Sequence, residues 1–314
     1  MTSSQSHIKL NPETIQVVRK EFDLDKPGMM DQAIDILDGW IKKQDHFIVT
    51  DFFSDRDYLE RIIISTKGSV EKAKKRIDRL CTMRTMLPSL FEKSHAKNDF
   101  PNILFVTCIN VSMPQITDDN YRVYIVKINS KTLTASILRE GYQFSILLSE
   151  YVFRHDYSRG IHVICDLRDV NIMDMVTSID LIDLRNLMTL YTDGYGFRIK
   201  SINILSNSSM IGAFVDILKQ IVSSKLGQRI TVCKTTETLH DRVSEQFLPE
   251  DYGGKQQSIM ALYDEWTEEL SSDNHLKHIK EMKRCCTDEK LRRAEKFNEE
   301  YLGMPGSFKR LCVD

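Results

Sequence analysis

The sequence predicts an α/β protein fronted by a helical lobe, and three observations carry that reading. Apolar residues recur at helical spacing through residues 11 to 93. After a polar, proline-containing stretch near Asn98 to Pro101 the pattern changes to short β-rich segments. Longer helical patterns lie between those segments, and such alternation implies a largely parallel sheet.

The elements follow in order. "MMDQAIDILDGWIKK" sets Met30, Ala33, Ile34, Leu37 and Ile41 on one helical face. "SVEKAKKRIDRLCTMRTMLPSLF" repeats the pattern with Val70, Ala73, Ile77, Leu80 and Cys81, with Ser69 as N-cap and Pro88 as the stop. The strands are "RVYIVKI" (122–128), "GIHVICDL" (160–167), "SINILS" (201–206) and "RITVC" (229–233). "NHLKHIKEMKR" is polar all round and reads as a solvated helix. Its His275 and His278, with Glu281 beyond, have a spacing that could ligate a metal, but a metal site also needs buried supporting partners, so none is expected. The chain divides into a helical lobe (1–95), an α/β domain (96–254) and a C-terminal helical segment and tail (255–314).

Composition restricts the partners. Among 314 residues, 43 Lys and Arg face 45 Asp and Glu, so the chain has no bulk attraction for nucleic acid or anionic lipid, and any anion site is local. The start "MTSSQSHIKLNPET" lacks the basic and apolar segments of a secretory signal, and no apolar run is long enough to span a bilayer; a cytoplasmic protein is expected. Seven cysteines without a C-x-x-C pair argue for free thiols. The common phosphate-loop, dinucleotide, nucleophile-elbow and zinc-helix signatures are missing, so no catalytic residue or cofactor is expected.

Taken together, "YLERIIISTKGSVEKAKKRIDRLCTMRTMLPSLF", "GIHVICDL", "YGFRIKSINIL", the apolar helix after it and "LPEDYGG" resemble the CRAL-TRIO family of retinaldehyde-binding and α-tocopherol-transfer carriers over roughly residues 50 to 254. The ending "GMPGSFKRLCVD" is similar to the tail of insect members. The resemblance implies a lipid-binding domain whose sheet floors an apolar cavity closed by a mobile gate helix. It implies binding and transfer of a tocopherol-, retinoid- or carotenoid-like molecule, with transient, peripheral contact to phosphoinositide-containing membranes. A scaffold or regulatory protein that kept the fold without the cargo is the alternative.

Residues 210–222 fit the gate position, with Met210/Ile211, Phe214/Val215, Ile217/Leu218 and Ile221/Val222 as recurring apolar pairs; a buried core helix is the other reading of so broad a stripe. The implied cavity lining is Tyr142, Ser145, Ser149, Ile161, Cys165, Leu187, Leu190, Tyr191, Phe197, Ile202, Met210 and Phe214. Tyr142, Ser145 and Ser149 share a helical face at i, i+3, i+7, and Ile161, Val163 and Cys165 share a strand face. Hydroxyls without buried charge suit an uncharged or weakly polar lipid.

The basic positions matching the family's phosphoinositide pattern are Arg198, Lys225 and Arg229, with Lys200 nearby; the other reading of Lys225 is compensation of a helix C-terminus. A fourth position departs, being Thr66 with Lys67 beside it. Asp169 stands for the usual glycine of "D-L-x-G", Gly196 for the proline of "Y-P", and Ser206-Asn207-Ser208 for "N-x-P", substitutions that alter the turns around the cavity.

Overall fold

A computed structural model describes residues 7–49, 51–102, 107–130 and 133–292; the ending "GMPGSFKRLCVD" lies outside the described residues. Four helices open the chain: α1 (Thr14–Glu21), α2 (Met29–Ile41), α3 (Arg56–Ser65) and α4 (Val70–Met86). Ser69 caps α4 by accepting a hydrogen bond from the Lys72 amide, as its position predicts, and the helix ends one residue before Leu87-Pro88. The apolar stripes of α2 and α4 meet in one core with Leu59, Ile62 and Ile63 of α3. That core also takes in Ile146 and Phe153 from the α/β part of the chain, and the Phe153 ring stands edge-on to Tyr58 at 5.3 Å.

The remaining chain builds one five-stranded sheet, ordered as in sequence: β1 (Cys108–Ile116), β2 (Tyr121–Ile128), β3 (Gly160–Asp166), β4 (Ile199–Leu205) and β5 (Ile230–Cys233). β2 to β5 run parallel, as the alternation predicts, and β1 pairs antiparallel with β2. Right-handed crossovers between consecutive parallel strands put the connecting helices on one face. These are α5 (Ala135–His155), α6 (Ile172–Ser178), α7 (Leu181–Thr189), α8 (Ile211–Ile221) and α9 (Ser224–Gly227). The chain after β5 covers the other face with Leu239, Phe247, Leu248 and Tyr252, starting with α10 (Thr236–His240).

β1 is absent from the four strands read from sequence, and its composition explains why. It carries Asn110, Ser112, Pro114 and Gln115, and its register shifts between Ser112 and Ile116. Ile109, Val111 and Met113 alternate with Asn110, Ser112 and Pro114, but a proline is confined to edges and bulges and, with the polar residues, counts against a strand. The irregular stretch is held by Arg122, which is fully buried, donates to the Met113 and Pro114 carbonyls and pairs with Asp156 at 2.7 Å. The outer edge is covered by α11 (Ile259–Leu270), whose Trp266 indole N–H donates to the Ser112 carbonyl at 2.7 Å.

The last helix, α12 (Asp273–Arg284), corrects the expectation of a solvated helix. His275 and His278 are buried, each 2% exposed, together with Ile279 and Met282. The helix is amphipathic, but its buried stripe is built partly of imidazoles, which a count of polar letters cannot distinguish from a wet face. Tyr151 of α5 packs on both His155 and His275, with ring centroids 4.4 and 5.6 Å apart. Burial pushes His275 down to about 3, His278 to about 2 and His155 to about 4, in each case before any effect of neighbouring cations.

Candidate functional site

The connecting helices do not close completely on the sheet. Between the sheet and α5, α7 and α8 lies a cavity of about 180 Å³. Its floor is built by strand alternation, with Cys108 and Asn110 from β1, Tyr124, Val126 and Ile128 from β2, and Ile161, Val163 and Cys165 from β3, while a register shift at Lys200 brings both Ile199 and Ile202 of β4 to it. Its roof comes from Leu138, Tyr142, Ser145 and Ser149 of α5, Leu184, Leu187 and Met188 of α7, and Phe214 and Leu218 of α8.

Ten of the twelve lining positions named from sequence meet here: Tyr142, Ser145, Ser149, Ile161, Cys165, Leu187, Tyr191, Phe197, Ile202 and Phe214. Two do not. Leu190 is fully buried but belongs to the core shared with the helical lobe, because the turn of π-helix at Leu190–Gly194 swings it toward Leu80 and Met83 of α4, which pack around Gly194. Met210, at the N-cap of α8, is 47% exposed and faces outward. Conversely, Asn110 and Tyr124 escaped the sequence reading. Tyr124 shares the period-two face of β2, which could have been read from "RVYIVKI"; Asn110 could not, since β1 itself was missed.

The cavity's polar groups hold one another. Ser145 exchanges a short hydrogen bond with the Tyr191 hydroxyl and donates to the Tyr142 carbonyl at 2.7 Å, and Tyr124 donates to Asn110 at 3.3 Å. Burial pushes the Tyr191 phenol and the Cys108 and Cys165 thiols up to about 12, so all three are neutral near pH 7. The one ionised side chain in the wall, Arg122, is already paired with Asp156. The site therefore offers apolar surface and a few hydroxyls. Among the described residues no group of His, Cys, Asp or Glu is arranged to hold a metal ion.

Helix α8 lies over this cavity as a surface element. Its buried residues are Val215 and Leu218, whereas Ile211, Phe214, Ile217 and Ile221 are half-buried, so the reading as a core helix does not hold. Ser206 and Ser208 lead into it, their hydroxyls accepting from the Ser208 and Met210 amides. Exposed Met173, Leu181 and Ile182 on the adjoining α6 and α7 extend its apolar surface.

The basic residues gather at the amino-terminal ends of the parallel strands but do different things. Arg198, just before β4, stacks its guanidinium 4.6 Å from the Phe22 ring and lies 3.8 Å from Glu21. Arg229, just before β5, donates to the Ile199 carbonyl. Lys225 on α9 is exposed, and Lys200 sits 5.2 Å over the Tyr121 ring. Thr66 is buried and donates to the Ile63 carbonyl at 2.9 Å as part of the end of α3, while Lys67 beside it is exposed at φ 57°.

A family model described as the CRAL/TRIO domain matches residues 108–254, from the first residue of β1 to the turn at Gly254. Residues 108–254 are a CRAL/TRIO domain. The resemblance read from sequence thus holds for the α/β part of the chain, and the CRAL/TRIO domain is a lipid-binding fold. No curated protein matches the sequence. Among solved structures, one titled "Crystal structure of Sfh5" is similar over 76% of this chain and 92% of that chain, at 12% identity and a TM-score of 0.48. Helices α1 to α4, α11 and α12 lie outside the matched segment and brace the CRAL/TRIO domain from the lobe side and along β1. Among the described residues no helix is long and apolar enough to cross a membrane.

Proposed function

We propose that the CRAL/TRIO domain of this chain binds one hydrophobic small molecule, tocopherol-, retinoid- or carotenoid-like, and passes it to membranes without altering it chemically. The observation that supports this best is the cavity wall, apolar throughout and carrying only hydroxyls, amides and neutral thiols besides the paired Arg122. Such a wall orients an uncharged ligand with a few hydrogen bonds and rejects an ionised one. Helix α8 acts as the gate, its half-buried apolar residues meeting the bilayer when it lifts. Lys225 and Arg229, with Arg198 behind them, attract a phosphoinositide headgroup and favour release at the membrane.

Native mass spectrometry after organic extraction, on protein from its own source tissue, tests this reading. A co-purifying hydrophobic molecule, and saturable one-to-one binding of a retinoid, tocopherol or carotenoid, are expected. The cavity of about 180 Å³ is smaller than the roughly 300–1,000 Å³ usual for small-molecule sites, which favours a second reading, a scaffold without cargo. An empty protein that binds none of the panel would establish the second reading.

A further inference from the structure

The chain after α12 crosses back to the helical lobe and is fastened there. Thr287 bridges Phe47 in antiparallel fashion, the Ile48 amide donates to the Cys286 carbonyl at 3.0 Å, and the Asp288 amide donates to the His46 carbonyl at 2.8 Å. Arg292 then donates to both carboxylate oxygens of Asp78 on α4, at 2.7 and 2.8 Å, and to the Thr82 hydroxyl at 2.7 Å. The described residues end at this anchor, and the segment 293–314 follows it.

Beside the anchor the lobe leaves apolar surface uncovered. Met29 is 42% exposed, Ile36 49% and Ile48 60%, and Trp40 is half-buried. Met29, Ile36 and Trp40 share one face of α2 at i, i+7 and i+11. A short path leads there from the anchor. Arg292 lies 3.2 Å from the His46 ring nitrogen, the His46 and Phe47 rings are 4.4 Å apart, and Phe47 stands edge-on to Trp40 at 5.8 Å. The charged residues of α2 are all acidic: Asp31, Asp35 and Asp38. Arg56 pairs with the first two and Lys42 with the third, yet the Asp31 and Asp35 side chains stay 72% and 67% exposed and open to a further cation.

We propose that this stripe is the docking surface for the chain's own segment 297–311, "FNEEYLGMPGSFKRL", with Phe308 and Leu311 laid on Ile36 and Trp40 and with Lys309 and Arg310 facing Asp31 and Asp35. The position of the anchor, the length of the tether and the match of charge select this occupant. The link from Arg292 to Phe308 reaches up to about 50 Å when extended, far more than the path above requires. A tether of that kind holds its end at an effective concentration on the order of millimolar, so a few contacts suffice. Exposed apolar side chains rimmed by charge mark a contact surface, and "FKRL" offers two apolar residues around two cations to an apolar stripe on an acidic helix. The docking is independent of cargo and membrane, since none of these lobe residues lines the cavity or belongs to α8.

Acrylamide quenching of tryptophan fluorescence on the full chain tests the docking, because Trp266, the other tryptophan, is 1% exposed and the quenchable signal comes from Trp40. Phe308→Asp/Leu311→Asp is expected to raise the quenching constant about twofold or more by uncovering the Trp40 ring. Ile36→Asp should do the same, and the two sets of substitutions combined should have no effect beyond either alone, the non-additivity that marks direct contact. Salt should weaken the protection of Trp40 in the parent and change it little in Lys309→Gln/Arg310→Gln. A synthetic peptide of residues 297–314 added to Phe308→Asp/Leu311→Asp should restore protection, and this pair of measurements gives the reading alone should Ile36→Asp fail to fold. Sedimentation velocity tests the other occupant: a parent that dimerises, with the dimer lost in Ile36→Asp and kept in Phe308→Asp/Leu311→Asp, assigns the stripe to a second copy and overturns the proposal. Equal quenching in the parent and Phe308→Asp/Leu311→Asp, or additive effects of the two sets, overturns it as well.

Discussion

Ser145 and Tyr191 close the cavity roof on one another, hydroxyl to hydroxyl, across the gap between α5 and the turn that follows α7. A ligand hydroxyl or carbonyl entering the cavity would meet this pair first. Ser145→Trp is expected to fill the space and abolish binding of the hydrophobic panel, at a stability cost of about 1–3 kcal/mol from overpacking. Leu190→Trp is the contrast, since Leu190 sits in the lobe core against Gly194, so it should lower the melting temperature instead of occluding the cavity. Binding isotherms and thermal melts on the two variants separate these effects; retained binding in a folded Ser145→Trp protein would rule out the cavity as the site.

On the proposed function, transfer and binding are separable along α8. Met210 is exposed and outside the cavity wall, whereas Phe214 is in it. Met210→Asp should leave ligand affinity unchanged and slow transfer to liposomes about tenfold, for roughly 1–2 kcal/mol of lost interfacial burial. Phe214→Asp should weaken both. An unaltered transfer rate in Met210→Asp would show that this end of the helix never meets the bilayer.

The two cations at the end of the gate segment differ in what they hold. Lys225→Gln should reduce sedimentation with phosphoinositide vesicles and make the remaining binding less sensitive to salt, with no change in melting. Arg229→Gln should do the same and also cost about 1 kcal/mol of stability, because it removes the bond to the Ile199 carbonyl. Vesicle binding equal to the parent's at every salt concentration, for the double variant, would make both ordinary surface residues.

Acid should open the seam between α5 and α12. His155, His275 and His278 are all held below the ordinary imidazole value of about 6.5, so the unfolded chain takes up protons as pH falls through 6.5 while the folded one does not. Stability is therefore unaffected by these groups above about pH 7 and declines as pH falls from 6.5 toward their folded values of about 4, 3 and 2, by up to about 1.4 kcal/mol per pH unit for each histidine. His275→Phe, matched in shape to its aromatic surroundings, should flatten that decline in a melting series, and an unchanged slope would show that His275 does not contribute to it.

Much of the α/β architecture was legible because period-two and helical apolar spacing are local properties: the parallel strands and the face of α5 carrying Tyr142, Ser145 and Ser149 follow from them. β1 was passed over although Ile109, Val111 and Met113 alternate with Asn110, Ser112 and Pro114, because its proline and polar residues count against a strand and its burial comes from α11 and Arg122, which lie outside the segment. The buried face of α12 was misread because imidazoles score as polar wherever they sit. Arg198 was legible through the family's basic pattern, whereas Arg76 gave no signal, since only the fold brings α4 to the start of β4, and the glycine at 196 looks like a lost proline until the guanidinium beside it is seen.

Val215 and Leu218 are the residues that α8 buries. Burying an aliphatic side chain is worth about 1.5–3 kcal/mol, so lifting the helix costs on the order of 3–6 kcal/mol, and the raised form makes up roughly one molecule in 10² to 10⁴. On the proposed function, a cargo held behind such a latch leaks slowly into water. An encounter that takes up Met210, Ile211 and Phe214 in a second apolar phase removes most of that cost, so the exchange rate should rise in proportion to acceptor membrane concentration and be nearly indifferent to dilution of the donor. On the proposed function, the weakness of the latch makes delivery a matter of collision, and the residence time of the cargo is set by how often the protein meets a membrane.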